Sequence, residues 1–127
     1  MKTINETVCS EQAPAAIGPY SQAVRAGEWV FVSGQLPVDA KSGKLEEGVA
    51  AQTERALKNV GAVLAAAGLD YRHVVKTTVF MTDLGRFAEM NDVYARFFKD
   101  APPARATVQV SALPKGASVE IEAVARG

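Results

Sequence analysis

The sequence predicts an α+β domain in which one β-sheet carries two helices on one of its faces. Three observations carry that expectation. Apolar residues recur at three- and four-residue steps in two separate stretches, Val49 to Ala67 and Leu84 to Phe98. Runs rich in β-branched and aromatic residues surround those stretches. The elements follow one another as β-β-α-β-α-β-β, with room for a further strand near Thr3 to Val8. A chain of 127 residues suits one compact domain spanning 1–127, long enough to bury roughly two thirds of the surface its unfolded form exposes.

Taken in order, "YSQAVRAG" and "EWVFVSGQ" read as two strands meeting at a tight turn over Ala26 to Glu28, where Gly27 supplies a positive φ. Trp29 and Phe31 fall on one face of the second strand and Val30 and Val32 on the other, so that strand is expected to be buried from both sides. The Gly, Ser and Lys content of "DAKSGK" marks a loop. The first helix has the stripe Val49, Leu57, Val60, Val63, Leu64 and Ala67, and Gly68 ends it. In "HVVKTTVFMTD", Val75, Thr77, Val79 and Met81 alternate against Val74, Lys76, Thr78 and Phe80 as in a strand. Asp83 is placed to cap a second helix whose stripe is Leu84, Phe87, Met90 or Asn91, Tyr94 and Phe97 or Phe98, with Pro102 and Pro103 stopping it. Strands near 104–110 and 118–125 complete the chain.

Composition limits the function classes. Hydrophobic residues make up 48 % and charged residues 22 %, with 14 basic against 14 acidic side chains. A net charge near zero predicts no strong pull toward nucleic acid. Cys9 has no second cysteine to pair with, and His73 is the one histidine, so a zinc site is not expected. Cys9 is given no role. The opening "MKTINETVCS" lacks the apolar core of a secretory signal, and no run approaches the ~18 apolar residues of a membrane span. The cytoplasm is the expected compartment. Neither G-x-G-x-x-G, a P-loop, G-x-S-x-G nor a histidine-bearing triad is present.

The stretch "PPARATVQV" holds the most informative side chain. As a strand it puts Ala104, Ala106, Val108 and Val110 on one face and Arg105, Thr107 and Gln109 on the other. Arg105 is therefore expected to point away from the apolar face, onto a second face that also carries Glu120 and Glu122 of the last strand. Two readings of Arg105 stand: an ion pair with Glu120 or Glu122, or a clamp for a ligand carboxylate, which its planar fork suits better than lysine. Glu120 and Glu122 are either solvated strand charges or, kept from water, groups able to orient a nucleophilic water. Asn91 is a structural hydrogen bonder or a ligand contact, and Tyr20 a core-edge or a site residue. Ser33, Gly34 and Gln35 end a strand, where glycine permits close approach and leaves amide donors for an anion. The hairpin and the middle strand carry too much apolar surface on this second face to leave in water. Self-association into a closed ring with sites at its subunit boundaries would cover it.

The stretches "APAAIGPYSQAV", "VFVSGQLPV", "VVKTTVFMTDL" and "PARATVQVSALPKGASVEIEAVA" resemble the Rid (RidA/YjgF) family of reactive intermediate deaminases, along nearly the whole chain from about Ala13 to Ala125. The resemblance implies a chorismate-mutase-like fold with a mixed sheet of about six strands, and a homotrimer with sites between neighbouring subunits. It implies hydrolysis of 2-imino acids, such as 2-iminobutanoate and 2-iminopropanoate, to 2-oxo acids and ammonia without a cofactor. By position, Arg105 matches the family arginine that grips the substrate carboxylate, and Glu120 the acid that positions the attacking water. Gly34 matches a backbone site near that carboxylate, and Tyr20 and Asn91 match residues lining the cleft. Thr107 stands where similar members have cysteine, which removes any thiol-specific role there and leaves a hydroxyl able to hold water. The connection from Lys99 to Pro102 is shorter than in some relatives. Endoribonuclease activity, translation inhibition, small-carboxylate binding and chaperone action have also been attributed to relatives.

Overall fold

The computed structural model of the chain describes residues 5–127. Six strands, β1 (Glu6–Val8), β2 (Ala23–Ala26), β3 (Trp29–Gln35), β4 (Val74–Met81), β5 (Ala104–Gln109) and β6 (Val119–Arg126), form one sheet in the order β1-β2-β3-β6-β4-β5. Every pairing is antiparallel except β4 with β5, which is parallel. Helices α1 (Val49–Ala66) and α2 (Phe87–Tyr94) provide the crossovers that bring β4 and β5 into the sheet. The strand expected from Thr3 to Val8 begins at Glu6; positions 3 and 4 lie outside the described residues.

The β2–β3 hairpin turns as its glycine requires: Ala26 pairs with Trp29, and Gly27 takes φ 62°. At the end of α1, Gly68 takes φ 77° while Leu69 N–H closes back on Leu64 O at 2.8 Å, so the terminal carbonyls find donors where a residue with a Cβ would be strained. The core lies between the sheet and α1. Leu57, Val60, Val63 and Leu64 pack among Val30, Val32, Val79, Met81, Val119, Ile121, Ala123 and Ala125, all of them buried. Each large side chain so enclosed contributes roughly 1.5–3 kcal/mol relative to exposure.

Four local expectations are corrected. The register of β4 slips against β6 between Val74 and Lys76, and this bulge turns Val75 into solvent while Val74 joins Thr77, Val79 and Met81 in the core. Asp83 caps a separate 3-10 turn, Leu84–Arg86, by accepting from Gly85 N–H at 2.8 Å. Helix α2 starts only at Phe87 and ends at Tyr94, and its buried residues are Met90, Val93 and Tyr94, while Leu84 and Phe87 are exposed. In β3, Val30 and Val32 are buried, but Trp29 and Phe31 are exposed because no element among the described residues covers that face.

A further correction concerns β5. In-register neighbours share a sheet face, and Arg105 pairs with Thr77, Thr107 with Val79 and Gln109 with Met81, residues of the core side. Arg105 and Thr107 therefore stand on the helix side of the sheet, at its edge. Glu120 and Glu122 pair with Phe80 and Thr78 and stand on the opposite, uncovered side. Period-2 alternation separates two faces within a strand but says nothing about which face of the next strand it joins, and that assignment came from the parallel register.

Candidate functional site

Two clusters hold the residues singled out by the sequence. The first is built on α2 and the edge strand. Phe87, Asn91 and Tyr94 occur at i, i+4 and i+7, so the helix presents them along one stripe. Arg105 Nη1 donates to Asn91 Oδ1 at 2.9 Å, and its guanidinium carbon lies 4.6 Å from the Tyr94 ring centroid and 5.4 Å from that of Phe87. Cation–π contact with two rings fixes the plane of the fork. The Tyr94 ring is held in turn: its hydroxyl and Thr77 Oγ1 are 2.7 Å apart in the buried interior. Burial pushes the Tyr94 phenol above its ordinary pKa, against opposing effects from the Thr77 hydrogen bond and the Arg105 charge.

Among the described residues no carboxylate lies within ion-pair distance of Arg105, so the expected alternative of a pair with Glu120 or Glu122 is not formed. A guanidinium has five N–H donors, and Asn91 takes one. The remainder of the fork is available to an anion. Thr107, two residues along on the same face, has its Oγ1 buried without a hydrogen-bond partner among the described residues.

The second cluster lies on the other side of the sheet, in a groove of about 830 Å³ lined in part by Tyr20, Ser33, Gly34, Lys115, Glu120 and Glu122. The β3–β6 ladder is irregular between Val32 and Gln35, and this break carries Ser33 and Gly34. Glu120 packs directly on Gly34: a Cβ there would come within 2.9 Å of Glu120 Cδ and 3.0 Å of Oε2. Glycine is thus needed for proximity. Burial, and secondarily the charge of Glu122, raise the Glu120 carboxyl above the ordinary carboxylate range. Tyr20 stands at the groove with 54 % of its surface exposed. Ser33 is differently employed from the expected ligand contact, because its hydroxyl donates to Ser21 O at 2.6 Å.

The structure therefore brings Tyr20, Ser33, Gly34 and Glu120 together, and Asn91, Arg105 and Thr107 together, but on opposite faces of one sheet. Sequence reasoning missed Phe87 and Tyr94 as platforms for the guanidinium, having assigned both to the core stripe. Their spacing with Asn91 was the available signal. It also missed Lys115, whose left-handed backbone (φ 61°) is the one positive φ outside glycine among the described residues and which joins the groove lining.

A six-stranded mixed sheet with two helices on one face, an arginine on an edge strand and a glutamate on a glycine in an open groove defines a class of small α+β proteins, and comparison with known proteins places the chain within it. Residues 10–126 match the family model described as Endoribonuclease L-PSP, and the chain belongs to that family, the Rid (RidA/YjgF) family. It is 58 % identical over 123 residues to protein DfrA of Myxococcus xanthus, covering 94 % of each chain. It is 50 % identical over 123 residues to the human 2-iminobutanoate/2-iminopropanoate deaminase, covering 96 % of this chain and 90 % of that one. The crystal structure of E. coli TdcF with bound serine superposes with a TM-score of 0.93 at 44 % identity, over 96 % of this chain and 98 % of that one. The fold expected from the resemblance, chorismate-mutase-like with a six-stranded mixed sheet, is the one found.

Proposed function

We propose that the protein is a deaminase that hydrolyses 2-iminobutanoate and 2-iminopropanoate to 2-oxo acids and ammonia, at sites shared between neighbouring copies in a homotrimer. The observation that carries this reading is the separation of the two clusters. Arg105, oriented by Asn91, Tyr94 and Phe87, has no acid of its own, while Glu120 faces a groove that holds Glu122 and Asp39 as well. In the groove alone a small carboxylate would meet three acids against the single cation Lys115, with no guanidinium fork to grip it. It would be held by the arginine alone with no base beside it. Apposing the β5 edge of one copy to the groove of the next supplies both.

The uncovered sheet face supports such an assembly. It exposes Trp29, Phe31 and Val108, with Phe80 and Val124 half-buried beside them, an apolar surface that a second copy would remove from water. The names of the curated relatives support the chemistry, and the serine bound in the TdcF crystal, an amino acid with a free carboxylate, supports a carboxylate site.

In the reaction, the Arg105 fork grips the substrate carboxylate through two N–H donors, and Asn91, Tyr20 and the main chain at Gly34 bound the cleft. Glu120 takes a proton from a water whose oxygen bonds to the imine carbon, the C=N π electrons pass to nitrogen, and Glu120 returns that proton to the nitrogen. In the carbinolamine the hydroxyl proton then passes through Glu120 to the nitrogen as the C–N bond breaks, so that ammonia leaves and the hydroxyl oxygen becomes the 2-oxo group. Positioning and proton transfer suffice for a reaction that imines undergo unaided, so no cofactor enters the scheme. The raised pKa of Glu120 makes it a stronger proton acceptor than an exposed carboxylate. The cytoplasm is the compartment assigned to this activity. No helix among the described residues is long and apolar enough to cross a membrane.

The test is release of 2-oxobutanoate in an assay coupled to threonine dehydratase. The reading expects the purified protein to speed release beyond the spontaneous rate; binding of small carboxylates with no acceleration would make it a binder and not an enzyme. Nucleic acid is not an expected partner at a net charge of zero.

A further inference from the structure

Residues 9 to 22, between β1 and β2, contain no helix or strand, an unusually long irregular connection for so small a domain. That connection carries Pro14, Ala15, Ile17 and Tyr20 into the wall of the groove. Tyr20 is half exposed, and its hydroxyl contact is local, accepting from Ile17 N–H at 3.4 Å. Its position must therefore be set from behind.

The anchoring converges on one side chain. Gln22 is 3 % exposed. Its Oε1 accepts from Ser10 N–H at 2.6 Å, and its Nε2 donates to Pro14 O at 2.8 Å and Ser10 O at 3.1 Å, with Ala13 O at 3.4 Å. The same residue ties the other end of the loop to β3, because Gln22 O accepts from Ser33 N–H at 2.9 Å and the adjacent Ser21 O accepts from the Ser33 hydroxyl. The buried side-chain amide thus holds the start of the loop at Ser10 and Pro14, while the main chain of Ser21 and Gln22 registers its end against Ser33. A carboxamide offers an acceptor and two donor hydrogens in one plane, a combination that no apolar residue of similar size reproduces.

Building on the deaminase reading above, we infer that Gln22 is a positioning residue for the substrate cleft, acting through Tyr20, with Ser33 as its second tie. The near-isosteric Gln22→Met removes every side-chain hydrogen bond of the clip, and Ser33→Ala removes one. Each touches no residue of the Arg105 cluster.

The experiment is a double-mutant cycle on imine hydrolysis between Gln22→Met and Tyr20→Ala, paired with amide hydrogen exchange on residues 10 to 20. The expected result is a KM raised about 10-fold by either single change with kcat within about 3-fold, and less than about 2-fold further loss when Gln22→Met is added to Tyr20→Ala. Ser33→Ala gives the same non-additivity at smaller amplitude, and it carries the test if Gln22→Met does not fold. Full additivity would make Gln22 a merely structural residue and overturn the inference, as would unchanged exchange protection of residues 10 to 20 in Gln22→Met. A silent Tyr20→Ala beside an inactive Arg105→Ala would overturn it while leaving the deaminase reading in place. A wild-type protein without activity would instead remove that reading, and the exchange result would then decide the anchoring.

Discussion

The two faces of the sheet handle charge in opposite ways. On the helix side the cation is pre-oriented: Arg105 is flanked by two aromatic rings and tied to Asn91, which removes rotamer freedom before any ligand arrives. On the open side the anion is strained electrostatically, since Glu120 is half-buried against Gly34 with Glu122 nearby and has its pKa raised. A cation held ready and a half-buried acid with a sheet between them do not meet within one chain. The proposed function joins them across two copies, which would make the surface that drives assembly also the surface that performs chemistry.

Removing the cation should have the largest effect. Arg105→Ala is expected to lower kcat/KM for imine hydrolysis by about 10³-fold, since both the charge-assisted grip and the orientation it gives are lost. Arg105→Lys should recover only part, because an ammonium lacks the fork and stacks less well on Tyr94 and Phe87. Assembly size by sedimentation should be unchanged in both. Glu120→Gln should come next, lowering kcat by about 10²-fold with a smaller change in ligand affinity, as loss of a general base predicts. Equal activity in that variant would leave the open side without a chemical role.

Smaller changes sharpen the comparison. Gly34→Ala should lower kcat by about 10-fold, because the new Cβ meets the Glu120 carboxyl carbon and moves the base without altering its identity. Gly34 itself needs no left-handed backbone, so the cost is one of position. Glu122→Gln should do least: removing the neighbouring charge lowers the Glu120 pKa, so the acid limb of the rate–pH profile moves to lower pH, and only slightly because burial is the larger cause. Movement to higher pH would contradict the assignment of Glu120 as the base.

Much of this was legible in the sequence, for identifiable reasons. The hairpin was visible because Gly27 sits between two alternating runs, and α1 because its stripe recurs over five turns before Gly68. Arg105, Glu120, Asn91 and Tyr20 stood out as polar residues on strands, on a helix stripe or beside a strand, and the family resemblance ranked them. What the sequence hid was relational. The bulge at Val75 leaves no mark in composition, yet it exchanges the faces of two valines. The parallel pairing that carries Arg105 to the helix side depends on a crossover through α2, and alternation within "PPARATVQV" is equally consistent with either side. Trp29 and Phe31 read as doubly buried because pattern analysis assumes that both faces of a strand are covered, whereas no described element of this chain covers theirs. Gln22 was not singled out, since a clip reaching back to Ser10 has no local periodicity.

The most direct test of the shared site is complementation between two inactive chains. Arg105→Ala and Glu120→Gln proteins would be dissociated together, allowed to reassemble, and assayed for 2-oxobutanoate release. If each site takes its arginine from one copy and its glutamate from the next, random mixing in a closed ring restores about a quarter of the boundaries to wild-type composition. Activity should then rise to about that fraction of the wild-type rate. A mixed sample as inactive as either parent would mean that Arg105 and Glu120 do not meet across copies, and would contradict the account.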